Sequence, residues 1–255
     1  MDLVNIVLFT GLSMSIEYVN AILGMGYGTV MVPLLLLIGL DPVLAVFSVL
    51  LSQFVSDIVF SVFNHYNDNA DFRYNSIDTK ISVILGLTGG IGSIIGVYLI
   101  INLDKMIISL YMSVLLIVLG FLVKKKNHKY TFSMKSIVPL AIFAAFNKTL
   151  TGGGYGPIIT GGQITLGEKA KTAVVRTAFA GAIVCGIGIL QFYLFGVNVD
   201  LSYVVPILLG AVIGAIPATF TINKAEEKKL RNLIMFSMFI LGIALLLRTL
   251  YDFIY

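Results

Sequence analysis

Two glycine-rich pentapeptides, Gly24-Met25-Gly26-Tyr27-Gly28 and Gly152-Gly153-Gly154-Tyr155-Gly156, are the segments best suited to chemistry in this 255-residue chain. Glycine permits positive φ and lets a ligand come close to main-chain N–H groups. A helix starting just after such a loop directs unpaired N–H groups and the positive end of its dipole at whatever lies before it. Pro157, directly after Gly156, suits the first turn of such a helix. The chemistry implied is the cradling of a small anion rather than the making of bonds. Two cations lie within reach of the second loop. Lys148 can neutralise an anion or pair with Glu17 or Asp57, and Arg176 can grip an oxyanion with two parallel hydrogen bonds or extend to the membrane surface. Asn20, Gln53, Thr151 and Gln163 are neutral hydrogen-bonding side chains near the same loops, able to replace hydration around an anion or to satisfy local backbone.

Other chemistries lack their parts. The single cysteine, Cys185, lies in an apolar run and allows neither an intrachain disulfide nor a cysteine metal cluster. His65 and His128 stand in polar stretches without a carboxylate at ligand spacing, so neither a zinc site nor a nucleophile–base pair is legible. An enzyme is not expected, nor a cofactor, and no nucleotide-binding motif implies direct ATP drive. The formal charge of +4 does not argue for nucleic acid, because the lysines cluster between apolar stretches in the way that membrane topology requires.

The elements that must position the loops belong in a bilayer: 58% of the residues are hydrophobic, 12% are charged, and there is no tryptophan. Val43 to Phe63, Ile81 to Ile101, Met106 to Val123, Ala170 to Phe195, Leu201 to Ile222 and Asn232 to Tyr251 are each near the roughly 20 residues that cross a hydrocarbon core. The segments flanking the loops are shorter. Leu3 to Ile16 precedes Glu17, Ile137 to Phe146 precedes Asn147 and Lys148, and Thr29 to Leu40 and Pro157 to Leu166 follow the loops. The chain therefore reads as all-α and integral to the membrane, with two re-entrant hairpins broken by glycine, each followed by three spans, eight to ten helical segments in all. Met1-Asp2-Leu3 lacks the basic start of a signal peptide, so the first segment is expected to stay.

The loops recur at an offset of 128 residues, from Gly24 to Gly152, and Ala45 aligns with Ala173 at the same offset. Two homologous repeats are expected, 1–123 and 136–255, joined by a basic linker at 124–135. Three crossings per repeat is an odd number, so the second repeat is inverted. That arrangement puts Arg73, Lys80, the lysines of the linker, Lys169, Lys171 and the group from Lys224 to Arg231 on one side, which the positive-inside rule makes cytoplasmic. The pairs Gly86-xxx-Gly90 and Gly210-xxx-Gly214 read as close helix packing.

The run from Asn20 through Gly28, followed by Pro33, Gly39, Asp41-Pro42 and Ala45, resembles the first repeat of the TauE/SafE sulfite exporter family. Thr151-Gly-Gly-Gly-Tyr-Gly-Pro157 is similar to that family's second glycine motif, so the likeness covers nearly the whole chain. The resemblance implies a secondary transporter of the cell membrane, moving sulfite or related sulfur-containing or organic anions, with H+ or Na+ as possible coupling ions. Members near this pattern often carry an acid where this chain has Asn20 or Lys148, and another where it has Gln53. Their absence here argues against proton coupling, while Lys148 and Arg176 favour an anionic substrate. The competing readings are an anion channel built on the same cradle, and a membrane scaffold or enzyme subunit without flux.

Overall fold

The computed structural model describes residues 3–24, 26–124, 134–165, 167–197, 199–222 and 227–254. Ten α-helices and no strand occur among them. α1 (Leu3–Leu23) and α2 (Gly28–Leu37) flank the first glycine loop; α6 (Met134–Thr151) and α7 (Tyr155–Thr165) flank the second. After the first pair come α3 (Pro42–Tyr66), α4 (Ile77–Asn102) and α5 (Lys105–Lys124), and after the second α8 (Ala170–Leu194), α9 (Leu201–Thr221) and α10 (Glu227–Ile254). α1, α3, α4, α8 and α9 are each long and apolar enough to cross a membrane. Most of the basic linker, residues 125–133, lies outside the described residues, as do His128 and Lys224.

Local chemistry sets the helix ends. Asp41 caps α3 by accepting from the Val43 N–H at 2.9 Å, with Pro42 in the first turn; Ser76 caps α4 through the Thr79 N–H at 3.1 Å. Asp200 caps α9 through the Ser202 N–H at 2.9 Å, and the Ser202 hydroxyl, followed by this N–H, holds its carboxyl below the usual carboxylate range. α2 and α7 end alike, on Gly39 (φ +96°) and Gly167 (φ +92°). The Gly39 and Gly167 N–H groups return to Leu36 O and Ile164 O, and those of Leu40 and Glu168 to Leu35 O and Gln163 O. These two stops stand at the same 128-residue offset as the glycine loops.

The helices before the loops are longer than their apolar stretches. α1 continues past Ile16 to Leu23 and α6 past Phe146 to Thr151, so α1, at 21 residues, is about 31 Å long rather than a short arm. The expected stops at Glu17 and at Asn147-Lys148 are not taken, because each polar side chain there finds a buried partner. Glu17 accepts from Asn20 and Ser56, Asn147 accepts from the Tyr111 hydroxyl at 2.6 Å, and Lys148 faces Asp57. α2 and α7, with 10 and 11 residues, are half-length as expected. His65 likewise lies in the last turn of α3 rather than in a loop, where its Nδ1 accepts from the Phe72 N–H at 3.3 Å.

Packing crosses between the halves in matched pairs: α1 lies on α9 and α6 on α4, while α3 packs on α8 and α5 on α10. Glycines set these approaches. A Cβ on Gly214 would stand 2.3 Å from Met14 O, and one on Gly92 would stand 1.9 Å from Ile142 O, at corresponding places in the two halves. Gly210 sits on Thr10 O and Gly96 on Phe146 O in the same way, so residue numbers rise together and each pair runs parallel. Gly210 and Gly214 thus act in packing as expected, while Gly86 and Gly90 receive the side chains of Ile183 and Ile187. α3 and α8 run antiparallel: Gly181 meets Asp57, Gly186 meets Phe54 and Gly188 meets Leu50. Outward faces carry Val7, Ile84, Ile91, Val114, Ile240 and Leu247, the reverse of a water-soluble protein and the norm in lipid.

Because lipid supplies no hydrophobic drive between helices, such approaches carry much of the stability. Gly92→Leu and Gly214→Leu are expected to cost at least the ~1–3 kcal/mol of an overpacked core, read as a lower thermal midpoint in detergent. Gly11→Ala, where an added Cβ meets nothing within 4 Å, should leave the midpoint unchanged.

Candidate functional site

The two glycine loops cross with their backbones in contact. A Cβ on Gly28 would lie 1.6 Å from Gly152 O, and one on Gly156 would lie 2.5 Å from Gly24 O, a reciprocal pair at the 128-residue offset. Their conformations match as well, with φ of +64° and +91° at Gly24 and Gly26 and of +77° and +88° at Gly152 and Gly154. At Gly24 and Gly152 positive φ coincides with a lack of space, since a Cβ would stand 2.7 Å from Thr160 Oγ1 and 2.3 Å from Val32 Cγ2, a double demand that only glycine meets. Helices α2 and α7 start from this crossing, so the first N–H groups of α7 have no acceptor within their own helix.

A cavity of about 30 Å³ lies against the crossing, bounded by Asn20, Gln53, Asp57, Lys148, Thr177 and main chain of both loops, with Tyr155 at its side. That is room for a water or two, and a multi-atom ion requires the walls to part. The Asn20 side chain joins the loop to an acid: its Oδ1 accepts from the Gly26 N–H at 2.6 Å while its Nδ2 donates to Glu17 Oε2 at 3.0 Å. Ser56 donates to the other Glu17 oxygen at 3.2 Å. Across the cavity Lys148 Nζ stands 3.9 Å from Asp57 Oδ2 and 5.5 Å from the centroid of the Tyr155 ring. Gly181 makes room for this pair, since a Cβ there would be 3.0 Å from Asp57 Oδ2 and 3.3 Å from Lys148 Nζ. Glu17, Asp57 and Lys148 are 1%, 5% and 3% exposed, so two acids and one base share a buried region.

The repeat offset places Asn20 opposite Lys148, Gln53 opposite Gly181, and Asp57 opposite Cys185. Equivalent positions thus carry unlike chemistry, and the two charged residues, Lys148 and Asp57, each stand opposite an uncharged type. The loop tyrosines do keep equivalent roles. Tyr155 reaches Leu85 O on α4 at 3.4 Å, whereas the Tyr27 hydroxyl meets Ser13 Oγ at 2.8 Å, which in turn donates to Ile207 O on α9.

Of the side chains expected at a site, Asn20, Gln53 and Lys148 gather around the cavity with Gly24, Gly26, Gly152, Gly153, Gly154, Tyr155 and Gly156. Gly28 lies behind the crossing. Thr151 turns back to Asn147 O and accepts from the Gly153 N–H, holding the second loop in shape. Gln163 donates to Thr177 Oγ1 at 2.9 Å, one layer behind the wall. Arg176 does not line this cavity. Its Nε donates to Asp78 Oδ1 at 2.6 Å and its NH1 lies 2.9 Å from Glu168 Oε1, which ties the start of α4 to the α7–α8 connection and α8. Sequence reasoning gave Glu17 and Asp57 only a pairing role and passed over Gly181 and Thr177. A signal was present: Glu17 is three residues before Asn20 and Asp57 four after Gln53, one helical turn along the same face.

Half-length helices meeting inside an all-helical, lipid-facing bundle define a multi-pass membrane protein with an interrupted centre. The profile of the family described as "Sulfite exporter TauE/SafE" matches residues 8–245, and the chain belongs to that membrane transporter family. It is 25% identical over 235 residues to the "Probable membrane transporter protein YtnM" of Bacillus subtilis (strain 168), covering 86% of this chain and 75% of the relative. No solved structure matches.

Two substitutions separate the crossing from the ion network. Gly28→Ala should abolish transport, because its methyl cannot be placed without driving the loops apart. Arg176→Ala should leave Asp78 buried and unpaired and cost on the order of 3–5 kcal/mol, seen as a fall in thermal midpoint, with transport by the surviving folded fraction retained.

Proposed function

We propose that the protein is a secondary carrier of small anions, of the size and charge of sulfite or a short sulfonate, and that the anion binds at the crossed glycine loops beside Lys148. The observation that carries this reading is the reciprocal contact of two half-helix starts, because it brings main-chain N–H groups from both halves to one place beside a buried ammonium. Asn20, Gln53 and Thr177 complete the shell as neutral partners. Tyr27, Thr151 and Gln163 hold loops and walls in place, and Arg176 belongs to a structural ion network.

An alternating-access mechanism is supported by the packing between halves. The equivalent helices α3 and α8 lie antiparallel, which favours repeats 1–123 and 136–255 related by an axis in the membrane plane. That arrangement puts Arg73, the linker and the start of α10 on one side, which we assign to the cytoplasm of a cell-membrane protein. Ionic ties sit towards both sides: Arg176 with Asp78 and Glu168 on the basic side, and on the other Lys105 with Asp41 and Arg248 with the Leu36 and Leu37 carbonyls at the end of α2. The small volume of the central cavity between them fits the site of a carrier better than an open pore.

Labelled-sulfite counterflow in proteoliposomes tests this. Wild type should show saturable exchange, stimulated by unlabelled sulfite on the opposite side. Lys148→Ala should reduce it by two orders of magnitude or more, as expected for removal of a buried charge worth ~3 kcal/mol or above. Flux without saturation or counterflow would identify a channel. Absence of sulfite, sulfate, thiosulfate and sulfonate flux from folded protein would overturn the assignment for those anions.

A further inference from the structure

We propose that Glu17 carries a proton together with the anion, making the central site a paired anion and proton site. The inference rests on the carrier reading above and concerns what moves with the substrate. It reverses the expectation drawn from Asn20, Lys148 and Gln53: the missing acids are present one turn away, on the same helix faces.

The argument begins with charge. Within the buried centre stand Glu17 on α1, Asp57 on α3 and Lys148 on α6. The groups facing Glu17 are Asn20 on its own helix, Ser56 and Asp57 from α3, Lys148 from α6, and the Tyr27 phenol at the start of α2; Lys148 in turn meets Cys185 of α8. Lys148 is the one cation in this set, and its ion-pair partner at 3.9 Å is Asp57. Glu17 is held by neutral donors alone, the Asn20 amide and the Ser56 hydroxyl. With all three groups ionised the centre bears a net charge of −1, and an anion entering beside it meets repulsion that little water screens. One proton on Glu17 brings the centre to neutrality and leaves the Lys148–Asp57 pair whole. By linkage, whatever the proton adds to anion affinity the anion adds to proton affinity, so the two bind and leave together.

Geometry supplies the connection. The Asn20 amide bridges the Glu17 carboxylate to the Gly26 N–H within the first glycine loop, 3.0 Å on one side and 2.6 Å on the other. Glu17 Oε2 now accepts the Asn20 N–H. A proton placed on that oxygen turns it from acceptor into donor, so the amide must turn or shift, and the loop that cradles the anion feels the change. The chemical step is a proton transfer from water or hydronium of one compartment to a Glu17 carboxylate oxygen, reversed into the other compartment, with no electron transferred.

Methanesulfonate is the suitable probe, being a monoanion that stays ionised near neutral pH, so that it carries no proton of its own. Proteoliposomes holding a pH dye are given an inward proton gradient of one unit. Wild type should accumulate methanesulfonate about tenfold, the ratio that one co-transported proton supports per pH unit, while the lumen acidifies in step with uptake. Glu17→Gln keeps a hydrogen-bonding side chain of the same size and cannot release a proton. It should still exchange labelled methanesulfonate, at a rate no longer dependent on pH, and should neither accumulate it nor acidify the lumen. Wild-type exchange that ignores the proton gradient, or responds to a sodium gradient instead, overturns the proton assignment and leaves the carrier standing. Full accumulation by Glu17→Gln overturns the role of Glu17. Glu17→Gln that folds, judged by size exclusion, yet exchanges nothing makes Glu17 part of the anion site and likewise overturns the proposal. No exchange by folded wild type removes the carrier reading for this anion, and this proposal with it.

Discussion

The contact on which the rest of the molecule depends is the one between two stretches of main chain, Gly28 against Gly152 and Gly156 against Gly24. In lipid, a break in a helix is tolerable only where protein covers it. Here each break covers the other, and the covering works because neither loop has a side chain at the crossing. The helices around them follow from that constraint. α2 and α7 are half-length because they start at the crossing, and the pairs α1 with α9 and α4 with α6 bring the remaining helices in on glycine-sized clearances.

A crossing of this kind concentrates polarity at the centre of an apolar bundle, and the buried charges are the consequence. Glu17, Asp57 and Lys148 are costly to bury singly, and together they form a set that is −1 with all three ionised and neutral with one proton added. Such a set is sensitive to any further charge brought beside it. The ion network of Arg176, Asp78 and Glu168 shows the contrasting case: an arginine met by two carboxylates within a connection between helices, where the arrangement holds elements together away from the cavity.

The sequence repeat is more faithful in backbone than in side chains. Positive φ recurs at Gly24 and Gly152, at Gly26 and Gly154, and at Gly39 and Gly167, and Tyr155 reaches α4 directly while Tyr27 is tied to α9 through Ser13. Around the cavity, by contrast, Asn20 corresponds to Lys148, and Asp57 to Cys185. Duplication thus supplies a symmetric frame, and the substitutions within it give the two halves different electrical roles.

Apolar run lengths, turn glycines and the offset between the two motifs are local properties, and they were enough to determine the all-helical membrane class, the long spans at α3, α4, α8 and α9, the half-helices after each loop and the family. They were not enough to place side chains. Polar Glu17 and Lys148 read as ends of the first helices of each half, yet both helices run through them, because buried partners on other helices satisfy what lipid would not. Arg176 read as a ligand for the anion, and only the approach of Asp78, 98 positions away in sequence, gave it another partner. Glu17 and Asp57 became a shared centre with Lys148 only when α1, α3 and α6 packed together. Charge balance at a buried site is a sum over residues distant along the chain, and tertiary packing decides which of them enter it.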